Sequence, residues 1–220
     1  NAVKKQLQAD HAAMREQGLT LESTLGNVHL PKVRVTDDPG SLGPVDFVGI
    51  AVKLWDTEAA ARSIASLIGP DTGIVSFQNG VQKDDILRRL CGDQAVMGGV
   101  AYIAATIGRP GVIKHSGTMQ RLIFGEYDGR RSARAAALLE ACKRGGINAE
   151  LSSDIRREIW EKFVFLVGLS ATTTTMRLPI GPIRAHAQTR AFLLDVMREV
   201  VAVGRAHGVA LAADYAEQRL

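Results

Sequence analysis

Cysteine, aromatic residues and long apolar runs are all scarce in these 220 residues. The two cysteines, Cys91 and Cys142, are too few for a disulfide scaffold and are typical of a reducing compartment, so we expect a cytoplasmic protein. The longest apolar run, residues 163–171, is far shorter than the roughly 20 residues of a membrane helix. No secretory leader is visible either, so the sequence predicts no membrane partner.

Charge of one sign is also lacking, because 27 basic residues face 23 acidic ones. The basic clusters at 88–89, 130–134 and 143–144 carry none of the interleaved aromatic residues typical of nucleic-acid-binding segments, so we interpret them as solvated surface. The five histidines lie far apart, with no cysteine or carboxylate at metal-ligand spacing. We therefore expect neither a nucleic-acid partner nor a metal site.

What is present is a regular alternation of strand and helix patterns. Residues 45–52 form a nearly continuous apolar run, which favours a strand covered on both faces of a parallel sheet. A helix is predicted at 57–67, with Asp56 or Thr57 as its N-cap. A strand at 73–78 and a helix at 84–90 follow. This order predicts an α/β fold with a doubly wound sheet.

The pattern changes near residue 154, where helical periodicity replaces the alternation. The segments predicted before that point are a helix-compatible stretch at 1–18, strands at 19–23 and 28–35, extended pieces at 94–105 and 111–125, a helix at 132–144 and a strand at 147–151. Beyond it, helices are predicted at 154–172, within 183–206 and from about 212. The sequence therefore predicts two domains, an α/β domain at 1–153 and a helical domain at 154–220.

Polar residues follow two of the predicted strands directly. Lys53 comes after the first, and ligands of open α/β sheets bind beyond the carboxyl ends of strands, although a lysine exposed at a strand end is an equal alternative. Gln78, Asn79 and Gly80 follow the second. Asn-Gly is typical of a tight turn, but an asparagine amide also offers a donor and an acceptor to a ligand.

Lys162 lies within an unusually apolar helix, two residues after Trp160. Desolvation disfavours an ammonium ion, so we expect a lowered pKa for Lys162, as a general acid working near neutral pH requires. The alternative is a lysine whose stem packs on the apolar face while its charge reaches water.

The order and spacing of six segments resemble the ketopantoate reductase (2-dehydropantoate 2-reductase) family. They include the Gln78-Asn79-Gly80 motif and the Trp160-Glu161-Lys162 motif. The six segments are 45–53, 75–81, 97–100, 110–117, 123–126 and 159–163. Together they extend the resemblance over nearly the whole chain.

The resemblance implies an NADP-dependent oxidoreductase of pantothenate biosynthesis type. It would reduce a small 2-oxo acid, such as 2-dehydropantoate, to the 2-hydroxy acid with NADPH. It implies a Rossmann-type domain followed by an all-helical domain, with the active site in the cleft between them. Lys162 would then donate the proton, and the cofactor-binding residues Lys53, Gln78, Asn79 and Gly80 would lie near the nicotinamide. The helical domain is also compatible with a homodimer.

Three departures from the family pattern modify this expectation. The Gly-x-Gly-x-x-Gly turn with its strand does not occur, nor do the later serine and glutamate that hold the substrate, so we expect both domains to be incomplete in this chain. Leu166 and Ser170, which share a helix face with Lys162 in the predicted substrate cleft, replace two asparagines of classical members. We therefore expect a different or more apolar oxo acid. The alternatives are a non-catalytic nucleotide- or partner-binding relative that keeps the fold, and a helical interaction domain.

Overall fold

The computed structural model describes the backbone of residues 2–220 and the side chains of residues 8–220, so Asn1 of the predicted stretch 1–18 lies outside it. The helices are α1 (Ala2–Gln17), α2 (Thr57–Ser63), α3 (Lys83–Cys91), α4 (Ala133–Arg144), α5 (Ile155–Met176), α6 (Ile180–Ala185), α7 (Ala187–Ala206) and α8 (Tyr215–Arg219). The strands are β1 (Leu19–Ser23), β2 (Val28–Leu30), β3 (Phe47–Ile50), β4 (Gly73–Ser76), β5 (Val96–Arg109), β6 (Val112–Gly125) and β7 (Ala149–Leu151).

All of these strands join one mixed sheet. Its order is β2-β1-β6-β5-β4-β3, and β7 also pairs with β6. Strands β3, β4 and the beginning of β5 are parallel, as helical crossovers require. Strands β5 and β6 form a long antiparallel hairpin. Strand β1 pairs in parallel with the start of β6, and β7 pairs in parallel with its end. The helices α5 to α8 follow the last strand, so the predicted order of an α/β sheet and then helices is confirmed.

Strand β3 differs from its prediction. It is shorter than 45–52 and, within the described residues, it is the edge strand that pairs with β4 alone. Val48 and Ile50 are buried, but Gly49 between them is exposed, so the expectation of a strand covered on both faces is wrong here. The strand buried at every residue is β4. An apolar run predicts that a strand exists, but its place in the sheet depends on which strands pair beside it.

Helix α2 also differs in detail from its prediction. It ends at Ser63, and the remaining turn at Ala65–Leu67 is a 3₁₀ helix. Asp56 is the N-cap residue but makes no capping hydrogen bond with its side chain. The Thr57 hydroxyl donates to the Leu54 carbonyl instead (2.7 Å). The segment 183–206, in which one or two helices are predicted, holds the end of α6 and all of α7, with extended backbone at His186 between them.

The sheet carries apolar side chains on both faces because neighbouring residues of a strand point in opposite directions. In β4, Ile74 joins the cluster under α2 and α3, while Val75 joins the cluster under α4. Helix α5 contributes Trp160 and Val164 to a separate core with α7 and α8. No helix of the described residues is both long enough and apolar enough to cross a membrane.

The two parts of the fold meet where α5 crosses β5 at Gly98. A Cβ atom added to Gly98 would lie 2.7 Å from Cγ1 of Ile155 and 3.2 Å from Cδ1 of Ile159. The absence of a side chain therefore lets the helix approach the strand closely. This approach sets how far the α5 side chains reach over the carboxyl edge of β4.

We expect Gly98→Ala to lower the free energy of unfolding by roughly 1–3 kcal/mol, the usual effect of overpacking a filled site. Gly181→Ala is the matched control, because a Cβ at Gly181 meets nothing within 4 Å. The control should leave stability unchanged or raise it by up to about 1 kcal/mol. Urea unfolding followed by circular dichroism measures both; equal stabilities of the two variants would contradict the close approach.

Candidate functional site

The site forms where β4 stops and its neighbour continues. Strand β4 ends at Ser76, whereas β5 extends to Arg109, and the last β4–β5 pair is Val75 with Met97. Beyond that pair, the β5 carbonyls on the β4 side have no partner strand in the described part of the chain. Lys83 from α3 donates to the Gly99 carbonyl (3.1 Å), and Lys162 from α5 donates to the Ala101 carbonyl (2.6 Å). Two ammonium groups thus bind the strand edge that β4 leaves unpaired.

Lys162 also bonds to the loop that follows β4. Its Nζ atom donates to Oδ1 of Asn79 at 2.8 Å and lies 5.7 Å from the centre of the Tyr102 ring. A lysine and an asparagine that are 83 residues apart are thereby joined. The sequence predicts both as site residues, and the structure brings them into direct contact.

The pKa of Lys162 lies below the ordinary value for lysine. The main cause is burial, which desolvates the ammonium ion, and the positive charge of Lys83 adds to it. The expectation of a lowered Lys162 pKa, drawn from the apolar helix around it, is therefore confirmed in direction. The sequence did not indicate the electrostatic repulsion between Lys83 and Lys162.

The backbone bends at Asn79 and Gly80, shortly after the carboxyl end of β4, but no backbone hydrogen bond among the described residues closes the predicted tight turn there. Gly80 has φ +100°, a backbone conformation that favours glycine. Asn79 is exposed, and among the described residues its amide NH₂ group makes no hydrogen bond, while its carbonyl oxygen holds Lys162. A bend in the backbone and an amide NH₂ group that is open to solvent therefore occur together at Asn79.

Gln78 occupies the same loop but points into the protein. Its Nε2 donates to the Val52 carbonyl (2.6 Å) and to Oγ1 of Thr57 (2.9 Å), and its Oε1 accepts from the Ser76 hydroxyl (2.9 Å). The side chain therefore ties the end of β4 to the end of β3 and the start of α2. A direct bond from this amide to a cofactor would have to replace one of these contacts.

Lys53 lies at the same edge of the sheet, three residues after the end of β3. Its side chain is exposed, and no ion pair or hydrogen bond of its ammonium group occurs within the described part of the chain. Lys53 is therefore near the carboxyl edge, as predicted from its position after a strand, but it is not among the residues that line the Lys162 cavity.

A small cavity of about 10 Å³ lies at the centre of the site. It is the size of roughly one water molecule. Leu166 lines it together with Lys162, and Ser170 does not. The other lining residues are Gln78, Asn79, Gly80, Lys83, Gly99, Val100, Ile159 and Phe163. Of the two helix positions predicted to line the cleft, only Leu166 contacts this cavity, while Ser170 is exposed one turn further along α5.

Sequence reasoning missed Lys83, Asp84 and Tyr127. Both Lys83 and Asp84 are almost fully buried, and the Tyr127 hydroxyl donates to Oδ2 of Asp84 (2.6 Å). In the sequence, Lys83 and Asp84 are two charged residues at the start of the helix predicted at 84–90. No local signal distinguishes them, because their burial comes from β5 and the segment after β6.

Two family models match the chain. The model described as ketopantoate reductase PanE/ApbA matches residues 3–129, and the model of the C-terminal part of the same family matches residues 154–220. Lys83 and Asn79 lie in the first match and Lys162 in the second.

Curated and solved relatives agree with these matches. An uncharacterized oxidoreductase of Bacillus subtilis, YkpB, is 30% identical over 89% of this chain. A 2-dehydropantoate 2-reductase of Halobacterium salinarum is 27% identical over 96% of it. The chain covers 64% and 69% of the length of these two proteins, respectively.

Among solved structures, that of 2-dehydropantoate 2-reductase from Geobacter metallireducens is 29% identical and superposes with a TM-score of 0.87. The alignment covers 96% of this chain and 70% of that one. The fold, an α/β sheet followed by helices, and the family matches therefore agree. Because the first family model alone matches more than half of the residues, the chain belongs to the ketopantoate reductase PanE/ApbA family.

Proposed function

We propose that this protein reduces a 2-oxo acid to a 2-hydroxy acid with NADPH, and that Lys162 donates the proton. The observation that supports this most is the contact of Lys162 with Asn79 and Ala101 at the carboxyl edge of the sheet. Ligands of open α/β folds bind at this edge. We also propose residues 1–153 and 154–220 as two domains, with the site between them, since Lys162 comes from one and Asn79 from the other.

The residues at this edge fit the nicotinamide end of such a cofactor. The exposed amide NH₂ of Asn79 has no hydrogen bond among the described residues, so it is available to a polar ring substituent. Gly80 adds no side chain beside it, and the exposed Lys53 provides positive charge for a phosphorylated ligand. When bound, the cofactor supplies a hydride. Asn79, Gly80 and Lys53 are the residues that would hold it.

The Lys162 ammonium group has the donors that the reaction needs. An ammonium carries three N–H donors, and Asn79 and Ala101 accept two of them. The third donor is left for the substrate carbonyl oxygen. As negative charge develops on that oxygen, the cation stabilises it, and one N–H bond breaks while the O–H bond forms. Lys162 remains as a neutral amine and regains its proton from water.

Leu166 supports a substrate that is less polar than ketopantoate. It lies one turn beyond Lys162 and lines the same cavity, so it contributes apolar wall where an amide side chain would offer hydrogen bonds. An apolar wall without a hydrogen-bonding group disfavours a substrate hydroxyl, because the hydroxyl would lose its hydrogen bonds to water and gain none from the protein. We therefore propose a 2-oxo acid with an apolar substituent.

Lys162→Ala should lower kcat/KM by roughly 10²- to 10⁴-fold, the usual contribution of a general acid. The assay uses the protein expressed from its complete reading frame, NADPH and a panel of 2-oxo acids. Lys143→Ala is the control, because Lys143 is an exposed residue of α4 that pairs with Glu140. Turnover that survives Lys162→Ala unchanged would contradict the mechanism, and absence of turnover in the wild type across the panel would favour a non-catalytic relative.

The pH dependence should reveal the same lysine. Proton donation needs the ammonium form, so kcat/KM falls as pH rises through the pKa of Lys162. Because burial and Lys83 lower that pKa, the fall should begin below the ~10.4 of an ordinary lysine. Arginine keeps its charge over this range, so residual activity of Lys162→Arg should lack this limb. If the wild type and Lys162→Arg show the same falling limb, the limb belongs to a group other than Lys162.

Leu166→Asn should shift substrate preference towards hydroxylated 2-oxo acids. The ratio of kcat/KM for a hydroxylated over an alkyl 2-oxo acid should rise by about 10-fold or more, the scale of one buried hydrogen bond. Phe165→Asn is the matched control, since Phe165 is exposed on the same helix and does not line the cavity. An equal change in both variants would show that Leu166 does not contact the substrate.

A further inference from the structure

Lys83 is a fully hydrogen-bonded cation in the interior. Its side chain is 1% exposed, and Nζ donates to the Ser76 carbonyl (2.8 Å), to the Gly99 carbonyl (3.1 Å) and to Oδ2 of Asp84 (3.0 Å). Three acceptors around one nitrogen require three N–H donors, and only the ammonium form of lysine has three. Burial lowers the pKa of Lys83, whereas the charge and the hydrogen bond of Asp84 raise it, and the three acceptors favour the ammonium form.

Stability alone does not explain the buried Lys83–Asp84 pair. Moving two charges out of water is costly, and a buried pair is often no better than an apolar one of the same size. Asp84 adds a further cost, because its Oδ1 atom is buried and has no hydrogen-bond partner among the described residues. Tyr127 satisfies only Oδ2, the oxygen that also binds Lys83. Such costs are expected mainly at functional sites.

Lys83 lies directly behind the proposed proton donor. It lines the same 10 Å³ cavity as Lys162 and Asn79. The two lysines donate to carbonyls of β5 that are two residues apart, Gly99 and Ala101, on the edge of the strand that β4 no longer covers. Through Ser76, Lys83 also fixes the last residue of β4, from which the Asn79 loop leaves.

We propose that Lys83 is a positioning residue for proton donation: it holds the β4 end and the β5 edge that orient Lys162, and its buried charge makes Lys162 a readier proton donor. Asp84 and Tyr127 keep Lys83 in place. This inference rests on the proposed function only for its catalytic consequence, since the effect of Lys83 on the Lys162 amine exists without turnover. Lys83 acts through Lys162 in this proposal, because its own three donors are taken by Ser76, Gly99 and Asp84.

Other charged or titratable groups lie on the elements around Lys162. Tyr102 of β5 lies beneath the ammonium, and burial raises the pKa of Tyr102 to about 12, so it is neutral in the working range. The remaining groups are Glu158 and Glu161 of α5 itself, Asp84 of α3, Arg121 of β6, Tyr127 after β6, and Tyr215 and Arg219 of α8. Among all of these charges, the one that lowers the pKa of Lys162 is Lys83.

The test removes the charges of Lys83 and Asp84 and keeps the volumes of the two side chains nearly unchanged. In Lys83→Met with Asp84→Asn, the falling limb of the kcat/KM profile should move to higher pH, and kcat below the limb should drop by roughly 3- to 10-fold, a fraction of general-acid catalysis. The matched control is Glu140→Gln with Lys143→Met, which removes an exposed pair on α4. If the falling limb of the double variant lies at the same pH as that of the control, the inference is wrong. Circular dichroism checks folding, and Lys83→Gln with Asp84→Asn, which keeps a donor for Gly99, serves if the first variant does not fold.

A second readout does not depend on turnover. Acetic anhydride labels free amines, so the extent of Lys162 acetylation against pH, measured by peptide mass spectrometry, reports the pKa of Lys162 in each variant. We expect that pKa to be higher in the double variant than in the wild type and the control. An unchanged pKa refutes the role of Lys83, even in an active enzyme. A raised pKa with turnover that does not depend on Lys162 supports the electrostatic coupling but refutes the proposed function.

Discussion

Beyond Ser76 the sheet loses one strand, and two ammonium groups bind the strand edge that remains. Unpaired carbonyls inside a protein are costly, so the Gly99 and Ala101 oxygens need donors that β4 cannot supply. Lys83 and Lys162 provide them from two helices that belong to different parts of the fold. Lys162 also donates to Oδ1 of Asn79, so hydrogen bonds join α3, α5 and the loop after β4 at this edge.

The hydrogen bonds that hold the Lys162 ammonium group in place also determine what that group can offer to a ligand. The bonds that hold Lys162 occupy two of its three donors and leave one for a ligand, while burial and a second cation weaken its hold on the proton. Gly98 lets α5 come close enough for the contact, since any side chain there would meet Ile155.

Much of the fold and part of the site could be predicted from the sequence because both leave local signals. The strand and helix alternation, the change to helices near residue 154, and the apolar surroundings of Lys162 are all written in neighbouring residues. The edge position of β3 and the burial of Lys83 and Asp84 are not, because each depends on which distant segment packs beside it. Gln78 is a polar residue directly after a strand, as a site residue would be, yet its side-chain amide is hydrogen-bonded to Val52, Thr57 and Ser76.

The sequence by itself determined that strands alternate with helices, that a helical segment follows, and that Lys53, Asn79 and Lys162 come after strands or within an apolar helix. These properties follow from side-chain periodicity and turn chemistry, which act over a few residues. Only the tertiary structure decided that Lys162 reaches Asn79, that Ser170 stays outside the cavity, and that Lys83 lines the same cavity as Lys162. Such contacts depend on the length of β5 relative to β4 and on the close crossing of α5, which no short stretch of residues encodes.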